Sequence, residues 1–304
     1  MRPEELLREA AERLRGLGPT PVLEARRLLV LGDTHGYPEV TRWALELADE
    51  ESVDAVVLLG DYVDRGPGGV ENLELVAEQL LARGPRRLLP LRGNHEDLEM
   101  NMNYGFYRQA IRRRGPEYIR VLEETFYPCL PLAAKAGPLV LLHGGIPCSE
   151  CGSEPEPPAR LWEPGSPWRR ELEDRWCRLR STYTGSRVAR HLLWNDPNPR
   201  IEWFEPNIRG PDTHLYGWRA WRSFLEANQA VLLIRGHEVS DAGRLDRPGE
   251  RLEGLPDGWR AGLDELRGSV VTVFSSLYHG MGAGALLVDL GEGLVELRRY
   301  PRLR

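Results

Sequence analysis

Five apolar runs along this chain each stop at a glycine beside polar residues. They read RRLLVLGDTHG, VDAVVLLGDYVDRG, RRLLPLRGNHED, PLVLLHGG and AVLLIRGHE. Short runs of Leu and Val bounded by turn residues predict buried strands that end at the glycines. Helical periodicity fills the gaps between the first four, and alternating strand and helix units suit partly parallel sheets. The N-terminal MRPEELLREAAERLRGLG predicts an amphipathic helix with Leu6, Leu7, Ala10 and Leu14 on one face, within a helical lead-in over 1–27. A further helical stretch is expected over about Leu98–Glu124. Another is expected over 218–228, with Trp218, Trp221 and Phe224 turned to the core. Residues 148–178 are rich in Pro, Glu, Gly and Trp and predict a surface loop. Residues 241–268 are polar and rich in Gly, Asp and Arg, and are expected as a lid, a partner loop or a passive surface insertion. GALLVDLGEGLVELRRY predicts a hairpin turning at Gly291-Glu292-Gly293, with no regulatory tail after it. There is no internal repeat and no clear linker, so one domain over 1–304 is expected.

Composition narrows the field. The 304 residues carry a formal net charge of −6, against a protein dedicated to nucleic-acid backbones. The basic stretch RQAIRRRGPEYIR reads as a solvated helix face. No apolar run approaches the roughly 20 residues that span a bilayer, and the N-terminus lacks the apolar core of a signal peptide. A cytoplasmic protein with no membrane partner is expected. Cys148 and Cys151 form a CxxC shortly after His143. A zinc knuckle would want a second CxxC or a His pair, and none follows. A redox pair, a local disulfide and a loop with reduced thiols remain open. His191 and His214 fall outside the five motifs, and His191 reads as structural. His279 reads equally as a substrate contact or a solvated loop residue. Glu96 and Asp97 read as partners of ligands or as helix-start acids.

The strand ends carry the chemistry. Asp33, His35, Asp61, Asn94, His143 and His237 converge from five turns as a hard-oxygen and imidazole set suited to Mn, Fe or Zn. Two ions roughly 3.5–4 Å apart clamp the attacking and leaving oxygens of an in-line displacement. One carboxylate should bridge them. Arg65 and Arg92 lie inside the motifs, and a guanidinium fork matches phosphate oxygens in pairs. His95, next to Asn94, fits a proton donor oriented by a carboxylate such as Asp64.

GDTHG, GDYVDRG, RGNHE, HGG and RGHE together resemble the signature set of the phosphoprotein phosphatases. These are serine/threonine phosphatases within the calcineurin-like metallophosphoesterases. LLWNDP at 192–197, Arg209-Gly210 with Leu215-Tyr216-Gly217, and VTVFS at 271–275 agree, so the likeness runs from about Leu28 to Gly280. The resemblance implies a four-layer αββα sandwich with two central mixed sheets. It implies two divalent metal ions: Asp33 and His35 on the first, Asp61 bridging, Asn94, His143 and His237 on the second. It makes His95 the general acid supported by Asp64, and places Arg65 and Arg209 on the phosphate with Arg92 close by. Tyr278 would face the site, although FSSLYHG is one residue shorter than the family's usual stretch. The implied reaction is hydrolysis of phosphoserine or phosphothreonine by a hydroxide bridging the ions. Partners would be phosphorylated proteins, with any regulatory subunit unassigned. Phosphotyrosine would be a side activity. Other readings are a dinucleoside polyphosphate hydrolase, a nuclease, disfavoured by the net charge, and a non-catalytic phosphoprotein-binding scaffold, disfavoured by the intact ligand set.

Overall fold

The computed structural model describes residues 1–301. Two mixed sheets lie face to face. The six-stranded sheet runs, in spatial order, Arg260–Gly262, Leu294–Arg299, Gly284–Asp289, Arg27–Leu31, Ala55–Leu58 and Leu88–Pro90. The seven-stranded sheet runs Val22–Leu23, Ala133–Ala136, Leu139–Leu142, Leu232–Arg235, Ser269–Val273, Gly243–Arg247 and Glu250–Glu253. Side-chain alternation sorts each strand between two layers. Leu28 and Val30 pack against Leu139, Leu141, Ile234, Val271 and Val273 between the sheets. Leu29 and Leu31 point the other way, onto a helical layer that includes Leu7, Val40, Leu45 and Leu73. Val140, Leu142, Leu233 and Val270 face the opposite helical layer with Trp221 and Phe224. The result is the helix–sheet–sheet–helix sandwich that the resemblance implied.

The registers place the site. In the six-stranded sheet Leu31, Leu58 and Pro90 align across three parallel strands. In the other sheet Leu142, Arg235 and Thr272 align the same way. The motif turns leave from these aligned ends, where ligands of open α/β sheets gather. A lone parallel bridge from Asp33 to Phe274 joins the two sheets at that edge.

Several local expectations meet the structure directly. The helix Pro3–Arg15 buries Leu6, Leu7, Ala10, Ala11 and Leu14. The helical stretch after Leu98 is broken at Gly105 and Gly115, both at positive φ, and passes through a π turn over Leu122–Phe126 into a last helical turn, Tyr127–Cys129. Residues 148–178 are irregular apart from the helix Pro167–Arg175, which Ser166 caps by accepting from the Arg169 N–H. The 241–268 stretch corrects the expectation of a lid. It supplies three strands, two that extend one edge of the seven-stranded sheet and one at the outer edge of the other. Charge concealed them. Arg244 and Asp246 are buried on one face and pair with each other, and Glu238 and Arg251 complete the network. Leu245, Leu255, Ala261 and Leu266 meanwhile enter the intersheet core.

Candidate active site

Tight turns deliver the side chains. His35, Asp61, Asp64, Arg65 and His237 all have positive φ, between 45° and 68°. Non-glycine residues rarely adopt that region, and such strain gathers at functional sites. Glycine is required where turns touch. A Cβ on Gly93 would lie 2.2 Å from Asp61 Oδ1, and one on Gly236 would lie 2.3 Å from Asp33 Oδ1. Glu96 locks two turns together: its carboxylate accepts from the backbone N–H of Asp61 (2.8 Å), Tyr62 (2.9 Å) and Gly93 (2.8 Å). The sequence left Glu96 between two roles. The structure makes it the buried anchor of the Asp61 turn.

The donor set fits divalent cations. His35 Nδ1–H donates to the Val63 carbonyl (2.9 Å), which leaves Nε2 as a bare lone pair 3.6 Å from Asp61 Oδ2. His143 Nδ1–H donates likewise to the Leu59 carbonyl (2.9 Å). Its Nε2 lone pair then faces three further donors for a metal: Asn94 Oδ1 (3.0 Å), His237 Nδ1 (3.1 Å) and Asp61 Oδ1 (3.4 Å). Lone pairs crowded this closely lack a positive charge among them, and a metal would supply it. Asp61 belongs to both triads, His35–Asp61–His95 and Asp61–His143–His237. Asp33 completes the group, with Oδ1 accepting from the His237 N–H (2.8 Å).

Burial raises the Asp33 carboxyl to about 7, partly offset by the His237 N–H bond. Burial, then the charges of Asp33 and Glu96, push Asp61 well above the usual range. A raised carboxyl stabilises the metal-free fold below the unfolded value near 3.8, and that contribution is lost as pH rises through about 7. A cation must displace the same proton, so its affinity rises over that window. Any rise in Tm caused by an added divalent cation should therefore be larger at pH 8 than at pH 6. Because the carboxyl loses its proton at about 7, the difference between the two pH values is about 1.4 kcal/mol in all, a few degrees at this chain length. Thermal unfolding with and without the ion checks this, and an identical shift at both pH values would contradict it.

Behind the cleft, His95 Nδ1–H donates to Asp64 Oδ2 (2.7 Å). Asp64 is itself fixed by the Asn101 side-chain amide (2.9 Å) and the Phe106 N–H (2.9 Å). Nε2 of His95 is thereby left to the cleft. A space of about 280 Å³ is lined by Asp33, His35, Asp61, Asn94, His95 and His237, and also by Arg65, Arg209, Tyr278 and His279. The Arg65 guanidinium lies over the rings of Tyr104 (4.8 Å) and Tyr278 (5.3 Å). Arg209 is held by Asp196, which also accepts from Arg235 and Asn207. Burial opposes the charge on Asp196, but Arg235 and Arg209 hold its carboxyl below the ordinary value. Asp196 lay inside LLWNDP without an assigned role, and it is the residue that aims Arg209.

Arg92 corrects the expectation of a phosphate contact. It is fully buried away from the cleft, and its guanidinium donates to the backbone carbonyls of Glu96, Leu179 and Arg180. Its donors are spent on folding. Arg92→Ala should strip partners from three carbonyls and cost at least about 3 kcal/mol of stability, with KM little changed in the folded fraction. Arg65→Ala should do the reverse. It should leave Tm nearly unchanged and cut kcat/KM by about 10²–10³, the size of one lost charged donor. Parallel unfolding curves and steady-state kinetics on both variants would separate the roles, and matching profiles would refute them.

Comparison with known proteins agrees with this geometry. Residues 26–241 match the family model described as calcineurin-like phosphoesterase. A probable serine/threonine-protein phosphatase of Encephalitozoon cuniculi is 31% identical over 86% of this chain and 50% of its own length. Serine/threonine-protein phosphatase BSL2 of Arabidopsis thaliana is 28% identical over 94% of this chain and 26% of its own. The chain thus spans half or less of these relatives. A solved Saccharomyces cerevisiae serine/threonine phosphatase, described as similar to human phosphatase PP5, superposes with a TM-score of 0.75 at 23% identity. That match covers 99% of this chain and 90% of the yeast one. With the motifs, the sandwich and the converging donors in one place, the chain belongs to the calcineurin-like phosphoesterase family.

Proposed function

We propose that this protein is a serine/threonine protein phosphatase that uses two divalent cations. The supporting observation is one cleft in which Asp61 is shared by two donor triads, with the His95–Asp64 pair and two arginines beside it. The names of the relatives favour a protein substrate. Asp33 and His35 would hold one ion, Asn94, His143 and His237 the other, and Asp61 both. Bound there, the ions supply an activated water and Lewis-acid charge. Manganese is the ion for a first assay, and iron and zinc suit the same donors.

The chain's own residues do the rest. Arg65 and Arg209 grip the phosphate oxygens and stabilise charge as it grows. Burial, then Arg65 and Arg209, holds His95 below its ordinary value. A phosphate dianion between those arginines offsets their share of that shift and favours a proton on the imidazole. Asp64 keeps Nδ1 protonated and turns Nε2 toward the leaving oxygen. Partners are then phosphorylated proteins, and no surface is assigned to a regulatory subunit. Among the described residues no helix is long and apolar enough to cross a membrane. A cytoplasmic setting is part of the proposal.

The test is a substrate panel on metal-stripped protein resupplied with manganese. It holds a phosphoserine peptide, a phosphotyrosine peptide, a dinucleoside polyphosphate and single-stranded DNA. Manganese-dependent phosphate release chiefly from the phosphoserine peptide supports the reading. Preference for the dinucleotide or the DNA overturns the substrate class.

A further inference from the structure

We propose that Cys148, Cys151, His191 and His214 form a second metal centre, a tetrahedral zinc site that fills when the two cysteines are reduced. The four side chains converge from three distant segments: the loop after His143, the helix Arg187–Trp194 and the start of the strand His214–Tyr216. One donor atom from each lies within 4.8 Å of every other. Cys148 Sγ is 3.7 Å from His191 Nδ1 and 4.0 Å from His214 Nδ1. Tetrahedral zinc with ordinary bond lengths spaces sulfur and nitrogen about 3.5 Å apart. The ligand set is two thiolates and two imidazoles, which selects zinc over the harder ions suited to the catalytic cleft.

His191 carries the argument furthest. It is fully buried, and its Nε2 has no hydrogen-bond partner. That nitrogen lies 3.7 Å from Asp212 Oδ1, while Nδ1 faces the Cys148 sulfur at 3.7 Å and accepts a long bond from the Cys148 backbone N–H (3.4 Å), which a metal would replace. An imidazole between a metal and a carboxylate has this arrangement. Arg187 adds an N–H to Cys151 Sγ (3.3 Å), which favours the thiolate.

In the structure Cys148 and Cys151 are joined as a disulfide. A dithiol reductant would break that bond, passing it two electrons and two protons and becoming a disulfide itself. Two thiols result. Zinc binding forms two Zn–S bonds and releases those two protons, and the neutral histidines add lone pairs. The 2+ ion and two thiolates leave the centre uncharged. The centre sits at the root of the segment that carries Arg209, because Asp212 and His214 follow it directly and Asp212 also pairs with Arg187 and Arg190. Filling it would tie that segment to the loop after His143.

Cobalt distinguishes this centre from the catalytic cleft, whose donors contain no sulfur. The full chain is stripped of metal, reduced with a phosphine until four thiols per chain are counted, and titrated with Co²⁺. A thiolate-to-cobalt charge-transfer absorption with the intensity of one sulfur-ligated cobalt per chain, reached within three added equivalents because the cleft also takes the ion, and abolished by zinc, is expected. It should be absent from Cys148→Ser/Cys151→Ser protein, which keeps Cys129 and Cys177, and from oxidised wild type. His214→Ala removes the less buried ligand and should weaken cobalt at least about tenfold, since even partners of ligands are worth 10–100-fold. No such absorption in the reduced wild type, equal absorption in the double serine variant, or a disulfide that withstands the phosphine in the native protein each overturns the proposal.

Discussion

Asp61→Asn is expected to abolish metal-dependent turnover while leaving the fold intact. The substitution is isosteric, and asparagine tolerates the left-handed backbone that Asp61 adopts at φ 56°. The amide oxygen can still accept the His95 N–H that now reaches Asp61 Oδ1 at 2.9 Å. The backbone N–H still reaches Glu96. What disappears is the anionic oxygen common to both triads. Lewis-acid stabilisation is worth several kcal/mol, and each 1.36 kcal/mol is tenfold in rate, so a loss of at least about 10³-fold in kcat is expected. Stability separates this from simple damage. The Asp61 carboxyl is pushed up by burial and by Asp33 and Glu96, so neutralising it relieves repulsion in the metal-free protein. Metal-free Asp61→Asn should melt no lower than metal-free wild type, and its metal content should fall below the wild-type level. Turnover within tenfold of wild type, with full metal content, would remove Asp61 from the bridging position.

The positions of the converging donors were legible because each is set by short-range sequence. An apolar run, a glycine and a polar residue fix a strand, its end and what the end presents, and five repeats of that pattern leave few alternatives. What stayed hidden depended on tertiary contacts. Arg92 shares a motif with Asn94 and His95, and nothing in RGNHE shows that its guanidinium turns inward onto three carbonyls. The 241–268 strands were masked because Arg244 and Asp246 are buried by pairing with each other, which reverses the usual meaning of charge in a sequence. His191 and His214 looked unrelated to the CxxC because only the fold brings them to it. Glu96 lay between: its position beside His95 marked it, but three backbone donors from two turns gave it its role.

His95→Asn should retain the metals and lose the proton. Nδ1 of His95 is committed to Asp64, and although the ring lies beside His35 and Asp61, it is not among the six residues proposed to hold the ions. General acid catalysis contributes about 10²–10⁴-fold, so kcat on a phosphoserine peptide should fall by that factor. The size of the loss should depend on the leaving group. A serine alkoxide departs poorly without a proton, whereas nitrophenolate departs unaided, so the variant should keep most of its activity on p-nitrophenyl phosphate. Asp64→Asn should follow the same pattern more weakly, since it leaves the imidazole in place but alters the partner that orients it. A merely structural role for His95 would lower both substrates equally, and loss of bound metal would do the same. Equal losses on the two substrates, measured with metal content and Tm unchanged, would therefore strip His95 of its role as proton donor and leave the cations and arginines to account for the whole rate.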